Sequence, residues 1–313
     1  MQRQPADDND RKDDRKKRWK FGQNFLVDER VIIQIAEDVH CNSSDWVVEI
    51  GPGAGAITRR LLPRCQKLTA IEIDSKWVEH LRKHPEWGNM EVIQADATRI
   101  DVEDVLSRSA PNPFSKPHVV GNLPYNRAAP ILFRFLPFIH LFQSMNIMVQ
   151  YEVGKRICAN PHSRDFGFLS VFIQNHATAE MLQKIPQDAF RPRPKVLSAT
   201  VRLTPLAQPK IDDPMFLRFV ELAFSQKRKK MSNSLLPFYP KEKVTAALIA
   251  IEAGENARAE DLSVDQFVAA FKTLGPPPGV LPRKENPPDI SGLGVVGDSD
   301  EEGGFNEDSE DED

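Results

Sequence analysis

Asn122-Leu123-Pro124-Tyr125 closes an apolar run, Val119-Val120-Gly121, and lies about 70 residues after Glu49-Ile50-Gly51-Pro52-Gly53-Ala54-Gly55. An Asn side-chain oxygen and the next backbone carbonyl can accept both hydrogens of an exocyclic amine. A following Pro stiffens the turn, and an aromatic ring stacks on the base that carries the amine. The N6 amine of adenine is a poor nucleophile because its lone pair is delocalised into the ring, so an enzyme must reshape and aim it. The four residues supply those parts in order, and with the glycine segment they suggest methyl transfer to an exocyclic amine.

The glycine segment follows an apolar run and precedes a helical pattern, so its backbone can pass close to a ligand at a helix N-terminus. Gly51-Pro52-Gly53-Ala54-Gly55-Ala56 also satisfies the dinucleotide pattern G-x-G-x-x-A, which leaves a nicotinamide cofactor as a rival and a tight structural turn as the plain alternative. Pro52 tilts the balance. It removes a backbone N–H from the loop that would cradle a pyrophosphate, a loss that a phosphate-free ligand such as S-adenosylmethionine does not feel. Glu72, 21 residues after Gly51, is placed where a carboxylate can accept both ribose hydroxyls. Asp96, in Gln94-Ala95-Asp96-Ala97, is placed either to accept from an adenine amine or to cap a helix. Glu49 either orients the loop or a ligand amino group, or is a buried acid satisfied by backbone N–H groups.

These residues need elements to hold them at one edge. Residues 46–50, 68–73, 92–95, 118–121 and 145–150 read as buried strands, separated by helical stretches at 57–62 and 77–83. Such alternation predicts an α/β fold with a parallel sheet wrapped by helices, and ligands bind at the carboxyl ends of its strands. Asp28 is placed to cap a helix with apolar positions Val31, Ile32, Ile35, Ala36 and Val39. After Pro186 comes a Pro-punctuated loop, Phe190-Arg191-Pro192-Arg193-Pro194-Lys195, and a strand at 199–203. Helical patterns then take over: an apolar stripe in 216–224, and a capping box of Ser263 and Gln266 before Phe267. The predicted division is a disordered basic arm over 1–18, an α/β domain over 19–205, a small helical domain over 206–275 and a disordered acidic tail over 276–313.

The net charge of −4 conceals an uneven distribution: residues 276–313 hold twelve acids against two bases, so the other 275 residues carry +6. A basic body with an acidic tail suits a nucleic-acid binder, although such a tail is also a common solubilising end. Ser225-Gln226-Lys227-Arg228-Lys229-Lys230 concentrates positive charge after a helix, where it marks either an RNA contact or a solvated helix end. No run approaches the roughly 18 apolar residues of a membrane span, and the charged start of the chain lacks a secretory core, so a cytoplasmic protein is expected. Cys41, Cys65 and Cys158 are single, and the seven histidines have no ligand spacing, so no metal site is expected.

The chain resembles the ribosomal RNA adenine N6-dimethyltransferase family, specifically its bacterial small-subunit (KsgA) type. The matching text runs from Gln23 to about Leu236. It includes Gln23-Asn24-Phe25-Leu26-Val27-Asp28, Glu49-Ile50-Gly51-Pro52-Gly53, Ile71-Glu72-Ile73-Asp74, Asp96-Ala97, Gly121-Asn122-Leu123-Pro124-Tyr125, Gln150-Tyr151-Glu152-Val153, Gly167-Phe168-Leu169-Ser170-Val171 and Phe190 to Val196. The resemblance implies a Rossmann-like class I methyltransferase sheet with helices on both faces and a small C-terminal helical domain. It implies that Asn24, Leu26, Glu49, Gly51, Gly53, Glu72, Asp96, Ala97 and Asn122 bind S-adenosylmethionine. It gives Asn122, Leu123, Pro124 and Tyr125 to the target amine and base, with Phe190 completing an aromatic sandwich. Phe190 read alone is a core residue; its Pro-rich flanks put it on a loop, where stacking is credible. Arg191, Arg193, Lys195, Lys227, Arg228, Lys229 and Lys230 would contact RNA. The implied activity is dimethylation of two adjacent adenosines near the 3′ end of small-subunit rRNA in the immature subunit, by a monomer. A large-subunit rRNA methyltransferase conferring antibiotic resistance, and a non-catalytic assembly or transcription factor, are the alternatives. The bulky Trp19-Lys20-Phe21 lead-in and the acidic tail depart from the family pattern.

Overall fold

The computed structural model describes residues 24–84, 86–226 and 228–282. The basic arm and Lys227 lie outside the described residues, as does the tail from 283 onward.

The strands, in chain order, are β1 (Phe25–Leu26), β2 (Trp46–Ile50), β3 (Lys67–Glu72), β4 (Met90–Gln94), β5 (His118–Asn122), β6 (Ser144–Gln150), β7 (Ala177–Ile185), β8 (Phe190–Arg191) and β9 (Ser198–Pro205). The helices are α1 (Glu29–Asp38), α2 (Thr58–Leu61), α3 (Ser75–Arg82), α4 (Val102–Ser109), α5 (Ala128–Phe135), α6 (Tyr151–Ile157), α7 (Phe168–Gln174), α8 (Pro214–Phe224), α9 (Met231–Ser234), α10 (Lys241–Ala250) and α11 (Val264–Leu274). Seven strands form one sheet in the order β4-β3-β2-β5-β6-β9-β7, while β1 and β8 pair as a separate short ribbon. From β4 to β6 all neighbours are parallel; β9 and β7 join antiparallel. The parallel sheet read from the sequence is therefore extended by an antiparallel edge. β7 escaped the sequence reading because its exposed and half-buried residues follow no clean alternation, and a register shift between Met181 and Gln183 breaks its period.

The two-residue period of a strand divides the core between the faces of the sheet. Trp46, Val48 and Ile50 of β2 and Val119 of β5 belong to one buried cluster, with Val102, Leu132 and Phe135 of the helices on that face. Val47 and Val120 point the other way, into a second cluster with Ile32, Ile35, Ala36 and Leu61. Strand β2 is buried throughout because helices cover both faces, and it is apolar at every position but Glu49.

The first cluster continues without a break into the C-terminal helices through Phe216, Phe219, Phe267 and Phe271. The capping box before α11 is formed, with Gln266 N–H donating to Ser263 Oγ at 3.2 Å and Ser263 N–H to Gln266 Oε1 at 2.9 Å. The described residues run past 276, the expected start of the tail. Pro277 is buried and Val280 packs against the main cluster, because uncharged residues continue until Arg283.

Candidate active site

From β2 the chain winds outward to β3 and β4, then returns to start β5 on the other side of β2. The sheet therefore reverses direction between β2 and β5, and open α/β sheets bind ligands in the crevice at the carboxyl ends of such a pair. The glycine loop leaves β2 there, and Asn122-Leu123-Pro124-Tyr125 leaves β5. Between them opens a cavity of about 1080 Å³, including its mouth, lined on its remaining sides by Asn24 to Leu26, Glu72, Ile73, Asp96 to Thr98 and Arg127.

Each wall residue is set by its own local chemistry. Gly51, Gly53 and Gly55 have φ of +66°, +54° and +82°, a region that disfavours residues with a Cβ. The loop is held from below: Glu72, buried at the end of β3, accepts from Gly53 N–H at 3.0 Å with one oxygen and from Asp74 N–H at 2.9 Å with the other. Burial raises the Glu72 pKa, and the backbone hydrogen bonds offset part of that rise. Glu49 is buried behind the loop and accepts from Thr58 Oγ1 at 2.7 Å. Burial pushes its pKa up to about 7 against that hydrogen bond, with the neighbouring Glu72 adding to the rise. Asp96 is more open. Burial pushes its pKa up, but hydrogen bonds from Thr98 Oγ1 and N–H at 2.7 and 2.9 Å, with the charges of Arg127 and Arg99, outweigh it and leave the pKa lowered. Arg127 Nη1 stands 3.6 Å from Asp96 Oδ2, spanning the ends of β4 and β5.

At the end of β5, Gly121 passes so close to β2 that a Cβ would lie 2.9 Å from the Ile50 carbonyl oxygen. That approach fixes Asn122. Its Nδ2 donates to the Asn24 carbonyl at 3.0 Å. A carbonyl only accepts, so the amide is oriented with Oδ1 turned away, and no donor among the described residues engages that oxygen. Leu123 N–H donates to the Met148 carbonyl at 3.2 Å, while the Leu123 carbonyl likewise receives no hydrogen bond from the described residues. The Tyr125 hydroxyl lies 2.6 Å from Ser198 Oγ, which pins the ring, and burial raises its pKa. Two hydrogen-bond acceptors and an anchored aromatic ring thus stand beside the glycine loop.

The structure brings Asn24, Leu26, Glu49, Gly51, Gly53, Glu72, Asp96, Ala97, Asn122, Leu123, Pro124 and Tyr125 to this one pocket. Phe190 is a correction. Its side chain is 0% exposed and sits in the second core cluster, because β8 pairs with β1 and aligns Phe190 with Leu26. A ring so enclosed offers no face to a base. Arg191, Arg193 and Lys195 are exposed on the loop after it, with Arg193 Nε 3.2 Å from Asp188 Oδ1. Arg228, Lys229 and Lys230 are exposed after α8, and Lys230 also donates to Asn256 Oδ1. Sequence reasoning missed Thr58, Thr98, Arg127 and Ser198. Thr98 follows Asp96 by two residues, the Asx-type spacing that could have revealed it; Ser198 is 73 residues from Tyr125 and leaves no local signal.

The sheet order and the paired loops define a class I, Rossmann-like methyltransferase fold. The comparisons agree. A dimethyladenosine transferase from Plasmodium falciparum superposes with a TM-score of 0.68 at 23% identity, covering 79% of this chain and 96% of that one. The 23S rRNA methyltransferase ErmE follows with 0.59 at 29%, covering 80% and 99%. The sequence pattern of the family described as ribosomal RNA adenine dimethylase matches residues 14–275, and this chain belongs to that family. It is 38% identical over 273 residues to the ribosomal RNA small subunit methyltransferase A of Leptothrix cholodnii, spanning 85% of this chain and 94% of that protein. The protein of the same name from Geobacter metallireducens is 37% identical over 263 residues, spanning 81% and 94%.

Proposed function

We infer that this chain is an S-adenosylmethionine-dependent rRNA adenine dimethyltransferase, which converts the N6 amines of two adjacent adenosines near the 3′ end of small-subunit rRNA. The observation that carries the reading is the pair of unengaged acceptors, Asn122 Oδ1 and the Leu123 carbonyl, on the loop that faces the glycine turn. Two acceptors match the two hydrogens of N6. The small-subunit relatives at 37–38% identity favour that rRNA over the large-subunit alternative.

The pocket residues fit the cofactor: the loop is open at Gly51, where a Cβ would meet nothing within 4 Å, and the carboxylates of Glu72 and Asp96 keep lone pairs beyond those already used. Asn24, Leu26, Glu49, Gly51 and Gly53 would hold the methionine end, Glu72 the ribose, and Asp96 with Ala97 the adenine. When bound, S-adenosylmethionine supplies a methyl group activated by its sulfonium, so the protein contributes alignment and polarisation. Asn122 Oδ1 and the Leu123 carbonyl accept the N6 hydrogens and draw the nitrogen lone pair out of conjugation with the ring. Pro124 keeps the turn stiff, and Tyr125, braced by Ser198, stacks on the extruded base. The amine proton passes to water. In the second round the monomethylated amine turns its remaining hydrogen to an acceptor.

Arg191, Arg193, Lys195, Arg228, Lys229 and Lys230, with Lys227, would grip the rRNA backbone, the last four from the helical domain over 206–275. The reading includes a monomer that acts in the cytoplasm on immature small subunits. Tritiated S-adenosylmethionine offered with immature small subunits, large subunits and free rRNA tests it. Label recovered as N6,N6-dimethyladenosine from the small subunit is expected; label confined to large subunits overturns the assignment of substrate.

A further inference from the structure

The glycine loop is gripped by two aromatic rings, Phe25 from the pocket wall and Trp87 from outside the pocket lining. A Cβ on Gly53 would come 3.3 Å from Phe25 Cε1, and one on Gly55 would come 2.5 Å from Trp87 Cη2, inside any real contact. Those rings are the ends of a continuous series. Phe25 meets Trp77 at 5.4 Å between centroids, Trp77 meets His80 at 5.7 Å, His80 meets His84 at 6.4 Å, and His84 stacks on Trp87 at 4.0 Å with planes 8° apart. The spacing 77, 80, 84 places the middle rings on one face of α3 and the turn after it, while Val78 and Leu81 point into the core.

A loop with three glycines at positive φ is the segment whose backbone has most freedom to lose on binding. Rings packed where the missing side chains would stand remove that freedom beforehand, and the Trp87 ring does so without lining the pocket. We propose that Trp87, with Phe25 at the other end of the series, is a positioning residue that preorganises the glycine loop for the methyl donor. Gly55 is required on this account by its neighbour as well as by its φ, since any Cβ would evict the indole. The proposal rests on the reading that this loop holds the donor.

The two readings separate in one set of measurements on the full chain: calorimetric binding of S-adenosylhomocysteine, and steady-state methylation with donor and rRNA varied in turn. Trp87→Ala should raise the donor KM and the analogue Kd about tenfold, as the loop's ordering moves into the binding step. kcat at saturating donor and the rRNA KM should stay unchanged. Trp87→Phe, which keeps a ring, should restore the donor KM to within about twofold. If Trp87→Ala does not fold, Trp87→Leu should show an intermediate rise. Unchanged donor KM in the Ala or Leu variant overturns the proposal, as does a lower kcat at unchanged donor KM, which would indicate loss of active fold alone. Failure of the wild-type chain to bind the analogue at all would instead overturn the assignment of the loop to the donor, and the proposal with it.

Discussion

The role proposed for Asn122 depends on the orientation of a single amide. Because Nδ2 is committed to the Asn24 carbonyl, a substitution can remove the acceptor or reverse its surroundings, and the two have different consequences. Asn122→Ala should lower single-turnover methyl transfer by about a hundredfold to a thousandfold, the usual cost of losing one aligned polar group at a reacting centre. Asn122→Asp should be no better, since it sets a carboxylate oxygen against the Asn24 carbonyl; full transfer by either folded variant would refute the role given to this amide. Glu49 makes a second prediction at this scale. Its folded pKa of about 7 lies above the ordinary carboxylate value of 4.5, so the folded chain holds a proton that the unfolded chain releases. The associated stability is fully present below pH 4.5 and is lost as pH rises through 7, by on the order of 3 kcal/mol. Glu49→Gln carries no such loss. Thermal denaturation of the ligand-free chain should therefore show the Gln variant gaining on wild type between pH 5 and pH 8; a constant difference between them would mean that Glu49 does not titrate in that window. What the sequence revealed about residues follows from distance along the chain. Asn122, Glu72 and Asp96 were legible because each sits just beyond or at the end of its own strand, whereas Thr58, Arg127 and Ser198 act on partners 9, 31 and 73 residues away. Phe190 misled because its prolines argue for a loop, and only the pairing of β8 with β1 shows that the ring turns inward.

At the scale of elements, caps and buried runs were the strongest signals. Asp28 caps α1 by accepting from Arg30 N–H at 2.9 Å, and five predicted strands match β2 to β6 to within about two residues. The elements that stayed hidden have weak periodicity of their own. Helix α7 (Phe-Leu-Ser-Val-Phe-Ile-Gln) is buried on nearly every side and shows no polar stripe, and β1 and β8 are two residues each, defined solely by pairing with one another. The box at Ser263 is local enough to test in isolation. Ser263→Ala removes the acceptor for Gln266 N–H and should cost about 1 kcal/mol, read as a lower denaturant midpoint at unchanged slope. Donor binding should be unaffected, because α11 lies outside the pocket lining. A loss of donor affinity in this variant would show that the C-terminal helices influence the cofactor site through the shared core.

For the whole molecule the question is how one chain holds a small charged donor and a large polyanion at once. On the proposed reading the division is spatial: the pocket at the glycine loop contains buried carboxylates and backbone groups, whereas exposed arginines and lysines stand on the loop after β8 and on the turn after α8. The core runs without a break from the sheet into α8, which precedes that turn, and on the proposed reading charge there sets the register of the RNA without touching the reacting atoms. Sequence composition showed the +6 body, but not which cations share a surface, since that depends on how helices after residue 206 pack. Arg228→Ala with Lys229→Ala and Lys230→Ala should raise the rRNA KM several-fold at moderate salt and leave the donor KM unchanged. Each cation that neutralises a phosphate releases counterions, so the variant's log–log dependence of rRNA affinity on salt should be shallower by up to about 2. Lys230 is also bonded to Asn256, which makes Arg228 and Lys229 the larger contributors. An unaltered salt slope would remove this turn from the RNA interface and leave Arg191, Arg193 and Lys195 as the cations that dock the substrate.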